Sequence, residues 1–278
     1  MRTRNNNELK YSLRSIIQYA PWINRIYIVM NTPKKVPSWF NDRYKEIITL
    51  IDHNEIFPSS KYLPTTNSNS IETVLYNIPE LSEHFIYFND DMFLGNYVNY
   101  TDFFTKDGKT VIPIDILNKT DMLYGHNKLN MIYPEMVNKF YYHVPYPFIK
   151  SEYKKYTEKY NSFINWIRTN KNRNGIGCDV CTINNLHCPC QQFHYPFAIY
   201  MYNNNKAITK KFDLNYGSCD IKGYINNNCI DYLDTYSIKS PKMFCIQDDG
   251  VIYNNVGNIK KVNNFFKLKY NKKIYFEK

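Results

Sequence analysis

The chain reads as an α/β fold, a mostly parallel sheet with helices on both faces, interrupted by a Cys-rich insertion. Three observations predict it. Ile26–Met30, Ile47–Ile51 and Phe85–Phe88 are apolar runs of the length of buried strands. Segments with helical spacing alternate with them, the order expected of strands joined by crossover helices. Polar residues follow each run, and an open parallel sheet gathers such strand ends on one edge, where ligands bind.

In chain order, Asn5, Asn6 and Asn7 offer an N-cap and Glu8 suits the positive end of a helix dipole. Leu9, Leu13, Ile16, Ile17 and Ala20 recur at helical spacing, and Pro21 closes that helix. Strand Ile26–Met30 leads through the loop Asn31–Pro37 to strand Ile47–Ile51, which ends at Asp52, His53 and Asn54. A loop over Pro58–Ser70 precedes a helix with Ile71, Val74, Leu75 and Ile78 on one face, closed by Pro79. After Gly95 the pattern loosens. Val111–Ile116 reads as a strand, Pro134–Tyr142 as a short helix and His143–Phe148 as a rigid aromatic loop. A polar helix from Ser151 to Trp166, an apolar stretch Phe193–Tyr202 and a last strand Met243–Ile246 follow. With no internal repeat and no clear linker, residues 1–278 read as one domain, and residues 174–194 as a Cys-rich insertion within it.

Composition narrows the function classes. Charged residues make up 22% and mean hydropathy is -0.54, which excludes a membrane bundle. No run approaches the roughly 20 apolar residues of a membrane span. Met1–Lys10 is too polar for a signal peptide, so a cytoplasmic protein is expected. Lys and Arg number 35 against 25 Asp and Glu, and the resulting +10 favours an anionic partner: nucleic acid, a nucleotide-sugar or an acidic glycan. Much of the Lys falls in Lys260–Lys278, which reads as a solvated basic tail and not as a nucleic-acid stripe. Seven Cys, an odd count without a signal peptide, fit a reducing compartment.

Two clusters carry candidate chemistry. Asn89, Asp90 and Asp91 stand at the C-terminal end of an apolar strand. Paired carboxylates there suit a hard divalent cation carrying a diphosphate, although an Asx turn explains the same residues. Cys178, Cys181, Cys188 and Cys190, with His187 and His194 nearby, put four soft ligands within thirteen residues. Structural zinc would order such an insertion; free thiols or disulfides are the alternative.

Four blocks of this sequence resemble the Stealth family of capsular polysaccharide phosphotransferases and N-acetylglucosamine-1-phosphotransferases. Arg4–Met30, with its Ala-Pro-Trp-Ile-Asn-Arg-Ile-Tyr-Ile-Val run, is similar to the start of the second conserved region, which continues through Leu63-Pro64-Thr65, Ile71-Glu72 and Phe85–Gly95. His143-Val144-Pro145 resembles the third region, and Phe244–Asp249 with Tyr275–Lys278 the fourth. The family's first region, an Asp-bearing strand, would precede Met1. The resemblance implies a Rossmann-like, glycosyltransferase-A-like core. It also implies transfer of a sugar-1-phosphate from a nucleotide-sugar donor to a glycan or glycoprotein hydroxyl, releasing a nucleoside monophosphate.

Carried over residue by residue, the resemblance makes Asp90 and Asp91 the ligands of Mg or Mn and His143 the general base. Glu72 becomes a sugar or metal contact, or else an exposed helix carboxylate. Arg168 and Arg173 compete for a phosphate clamp, with Arg173 preferred because it precedes Asp179 as the family's Arg precedes an acidic residue. Asp248 and Asp249 would complete the metal or acceptor site, or form a turn closed by Gly250. Arg14 braces its helix or reaches a phosphate. Two other readings stay open: an ordinary metal-dependent glycosyltransferase, and a basic protein that binds nucleic acid or glycan without catalysis.

Overall fold

The computed structural model of the protein describes residues 7–31, 36–41, 43, 46–116, 139–141, 144–172, 193–211, 233, 240–246 and 256–278. His143, Arg173, the four clustered Cys, Asp248 and Asp249 lie outside the described residues.

Helix α1 (Glu8–Tyr19) buries Leu13 and Ile16 of the expected face, leaves Leu9 and Ile17 half-buried, and buries Tyr11, Ser12 and Ser15 as well. Asn7 precedes it in the left-handed region at φ 63°, a conformation Asn tolerates, and its carbonyl accepts the Tyr11 N–H at 3.1 Å. Strands β1 (Ile26–Met30) and β2 (Ile48–Asp52) pair in parallel from Ile26 opposite Ile48 to Met30 opposite Asp52. Asp52 and Glu55 then form a capping box that turns the chain into the one-turn helix α2 (His53–Ile56).

The helix expected around Ile71, Val74, Leu75 and Ile78 is broken in two. Helix α3 (Ser68–Glu72) stops, and a 3-10 turn follows at Leu75–Asn77. The chain tightens from Thr73 on, whose N–H donates to the Ser70 carbonyl at 3.2 Å, as the Val74 N–H does to the Ile71 carbonyl at 3.1 Å. Arg168 braces this turn. Its Nη2 donates to the Thr73 carbonyl at 3.0 Å, the oxygen that a continuous helix would offer to Asn77, and Asn77 N–H bonds Val74 O at 2.9 Å instead.

The remaining elements are β3 (His84–Tyr87), β4 (Met92–Leu94), β5 (Thr110–Ile116), β6 (Lys139–Tyr141), β7 (Tyr146–Ile149), α4 (Lys150–Lys159), α5 (Asn161–Thr169), α6 (His194–Asn203), β8 (Ala207–Lys211), β9 (Met243–Cys245) and α7 (Val256–Lys269). The molecule is α/β as read, yet the expected mostly parallel sheet is not what the described strands form. Only β1–β2 and β5–β8 are parallel, whereas β3–β7, β4–β9 and β5–β6 are antiparallel. Late segments return against early ones, β7 against β3 and β9 against β4.

Three local expectations are corrected. Lys139–Tyr141, read as helix, is a strand against β5. The end of the aromatic loop is strand β7, with Pro147 opposite Ile86. Among the described residues β7 pairs with β3 alone, and an edge strand is where a residue without an N–H is tolerated. The polar helix Ser151–Trp166 is two helices that meet at Tyr160.

The basic tail is also folded. Helix α7 buries Val262, Phe265 and Phe266, and Tyr270 and Phe276 beyond it are fully enclosed. The Phe266 ring lies 5.0 Å from that of Tyr11 and 4.7 Å from that of Phe93, while Lys260, Lys261 and Lys267 face solvent. Among the described residues no helix is long and apolar enough to cross a membrane.

Arg14 ties this end of the chain to α1. Its Nε and Nη2 each lie 2.6 Å from a Glu277 carboxylate oxygen, and Nη1 donates to the Tyr270 carbonyl at 2.6 Å. Burial pushes the Glu277 carboxyl pKa up, but Arg14, the Ile274 N–H and Lys10 outweigh it and hold the group below its ordinary 4.5. The stability it adds is present above the unfolded carboxylate's pKa and is lost as pH falls through the lower folded value. Wild type and Glu277→Gln are therefore expected to differ in urea stability at pH 7 and to converge on acidification below about pH 4.

Candidate active site

Strand β3 delivers its chain end into a tight turn. The Met92 N–H donates to the Asn89 carbonyl at 3.2 Å, so Asn89, Asp90 and Asp91 form the turn expected of such residues. That turn does not leave both carboxylates in solvent: Asp90 is exposed, but Asp91 is buried.

Two returning strands meet this turn. Tyr146, the first residue of β7, sits opposite Tyr87, the last of β3. Cys245, the last of β9, sits opposite Met92, and the next N–H, that of Ile246, donates to the Asp91 carbonyl at 2.9 Å. The segments just before Tyr146 and just after Ile246 are those that carry His143 and Asp248. Helix α1 holds β4 from behind, because Ser12 Oγ donates to the Met92 carbonyl at 2.8 Å and the Leu94 N–H to Ser15 Oγ at 3.0 Å. Beyond β4 only glycine fits. A Cβ on Gly95 would stand 2.2 Å from the Pro241 carbonyl oxygen.

Glu72, at the end of α3, is only 2% exposed, which overturns its reading as a surface carboxylate. Its Oε2 lies 2.9 Å from His194 Nδ1, and its Oε1 accepts the Tyr87 hydroxyl at 3.2 Å. The Tyr153 hydroxyl donates to the Glu72 carbonyl, and the His194 ring stacks on Tyr146 with centroids 4.7 Å apart. A carboxylate only accepts, so this contact puts the ring proton of His194 on Nδ1.

Tyr87 also meets the Asn89 amide. A phenol has one proton, so it serves Glu72 and Asn89 together when Asn89 turns its amide nitrogen toward the phenol oxygen. Burial, reinforced by the negative charges of Glu72 and Asp91, raises the Tyr87 pKa well above 10.0 and keeps it a donor at neutral pH.

Two of the described arginines, Arg168 and Arg14, are committed to protein groups. Arg168 is 5% exposed and donates to Thr73 through Nε and Nη2, bracing the residue next to Glu72. Arg14 holds Glu277 and Tyr270 as described above. Arg14 braces its helix, one of its two expected roles, and Arg168 braces Thr73 where a phosphate clamp was the expectation; Arg173 is outside the described residues.

Among the described residues no three acidic, His or Cys side chains converge as a metal site. Mg²⁺ takes one or two carboxylates and completes its shell with water and phosphate oxygens, so Asp90 and Asp91 fit the protein half of such a site. His194, Tyr87 and Tyr146 are the members that sequence reasoning missed. His194 was visible only as a neighbour of the Cys cluster, and the signal that could have marked it is its position as the one polar ring heading the apolar stretch to Tyr202.

Residues 2–112 match the Stealth protein conserved region 2 family. A capsular polysaccharide phosphotransferase of Actinobacillus pleuropneumoniae is 31% identical over 292 aligned positions, covering 96% of this chain and 72% of the relative. The chain belongs to the Stealth family. A second Stealth relative, a capsular polysaccharide phosphotransferase of Neisseria meningitidis, is 48% identical over 107 residues, or 38% of this chain and 28% of its own length. A third, from Actinobacillus suis and of the same description, is 35% identical over 191 residues, 62% of this chain and 51% of its own. The chain thus spans about half or less of the length of these last two relatives. The Stealth conserved region 2 match, residues 2–112, contains α1, β1, β2, Glu72 and the Asp90–Asp91 turn.

Proposed function

We propose that the chain is a sugar-phosphate transferase that moves hexose-1-phosphate from a nucleoside-diphosphate sugar to a glycan hydroxyl, forming a phosphodiester and releasing a nucleoside monophosphate. The observation that carries this reading is the meeting of the β3 end, the β7 start and the β9 end at Asp91. The relatives' description as capsular polysaccharide phosphotransferases supplies the reaction class. The parallel β1–β2 and β5–β8 pairs support the finer reading of a Rossmann-like, glycosyltransferase-A-like core.

Attack at phosphorus asks little covalent chemistry of a protein; it asks for an in-line hydroxyl and for neutral surroundings to the charged oxygens. Mg²⁺ or Mn²⁺ bound at Asp90 and Asp91 would supply charge neutralisation for the diphosphate. The Asn89–Asp91 turn orients those carboxylates. His143, in the segment that enters β7, takes the acceptor hydroxyl's proton, for which an ordinary imidazole is matched at neutral pH. Asp248 and Asp249, two and three residues after Ile246 in the sequence, would complete the metal or acceptor site, and Arg173 is the candidate phosphate clamp.

The test is to incubate the protein with nucleotide-sugars, an acceptor glycan and Mg²⁺ or Mn²⁺ and to separate the nucleotide products. Nucleoside monophosphate is the expected product. Release of nucleoside diphosphate would replace this reading with ordinary glycosyl transfer.

A further inference from the structure

Four side chains join α6 to the Asp90–Asp91 turn. His194 holds one oxygen of Glu72, Tyr87 holds the other, and the Tyr87 hydroxyl meets Asn89, two residues before Asp91. At its start the path is enclosed, with Glu72 2% and His194 8% exposed, while Tyr87 and Asn89 are half-buried. Stacking on Tyr146 fixes the plane of the His194 ring, and Tyr146 is itself in register with Tyr87.

We propose that His194 is a positioning residue, which sets the Asn89–Asp91 turn through Glu72 and Tyr87. The inference deepens the transferase reading given above and rests on it for its catalytic consequence. Each Glu72 oxygen accepts a donor inside the protein, so Glu72 is the hub through which His194 and Tyr87 are coupled. Removing the His194 donor leaves a buried carboxylate oxygen to find another partner, and the nearest proton in the network is the Tyr87 hydroxyl. Drawing Tyr87 toward Glu72 loosens its hold on Asn89 and with it the turn. Groups that orient metal-binding carboxylates in this way contribute tenfold to a hundredfold in metal affinity or activity.

The experiment uses the full chain with His194→Leu and His194→Asn, whose amide nitrogen can take the place of Nδ1. Hydrogen exchange of the peptide spanning residues 88–92 is read first, with the β1–β2 peptides as an internal control. His194→Leu is expected to speed exchange in residues 88–92 about tenfold, to leave the control unchanged and to weaken Mn²⁺ binding by calorimetry about tenfold. His194→Asn restores both, and in the turnover assay the Leu variant loses kcat about tenfold or more at nearly constant donor KM.

Should the Leu variant not fold, Tyr87→Phe cuts the same path while keeping its ring and is expected to give the same exchange and Mn²⁺ results. Unchanged exchange at residues 88–92, or equal damage from Leu and Asn, overturns the inference. Faster exchange in the variant of a wild type that releases no nucleoside monophosphate keeps the positioning role and discards the transferase reading. Unchanged exchange in an active enzyme does the reverse.

Discussion

Asp91→Asn is expected to lower nucleoside-monophosphate release on the order of a thousandfold while the protein folds normally, as measured by turnover alongside circular dichroism. The separation of the two effects follows from the geometry. The Asp91 backbone carbonyl accepts the Ile246 N–H at 2.9 Å, and Asn keeps that bond and the side-chain volume. What Asn lacks is the charge. A neutral amide on a buried site cannot balance a divalent cation or hold a diphosphate against it. Asp90→Asn is a useful companion, because Asp90 is exposed and its charge is screened by solvent, so a smaller loss is expected there.

Phe266→Ala is expected to destabilise the protein by about 3–5 kcal/mol, read from urea or thermal unfolding. Phe266 is fully enclosed, and its ring packs against Tyr11 of α1, Phe93 of β4 and Phe265 beside it. Truncation would open a void between the helix that carries β4 and the strand that follows the Asp turn. Activity should fall with the folded fraction, which distinguishes this variant from Asp91→Asn. A result near zero would mean that α7 does not pack as described.

The two substitutions also mark where the sequence was readable. The first half of the chain was legible because its signals are local: apolar runs at β1, β2 and β3 lie within one residue of their observed ends, and the polar residues after them mark the edge. The last helix was not legible from charge. Counting Lys suggested a solvated tail, whereas the deciding residues, Val262, Phe265, Phe266 and Tyr270, lie on one face of the same segment. Pro145 and Pro147 hid strand β7, because proline argues against a strand unless one side of that strand is unpaired.

The site divides in the same way. Asp90 and Asp91 could be located by their neighbours in sequence, but the environment of Glu72 could not. Its partners Tyr87 and His194 are 15 and 122 residues away, and nothing in the spacing of Ile71, Val74 and Leu75 tells which side the carboxylate faces. Arg168 was a candidate for phosphate because the resemblance places an Arg after the His143 block; its commitment to Thr73, 95 residues earlier, is a fact of packing alone.

The antiparallel partners of β3 and β4 have one more consequence. The conserved stretch 2–112 contains both strands but neither partner, since β7 begins at Tyr146 and β9 at Met243. Expressed alone, that stretch would present two bare strand edges and the exposed rings of Tyr11 and Phe93, the ingredients of aggregation. What matches the family model as one contiguous block is therefore expected to need the later strands to cover its edges. In a chain emerging from the ribosome, the Asp turn would gain its final shape only after residues beyond 243 had been made.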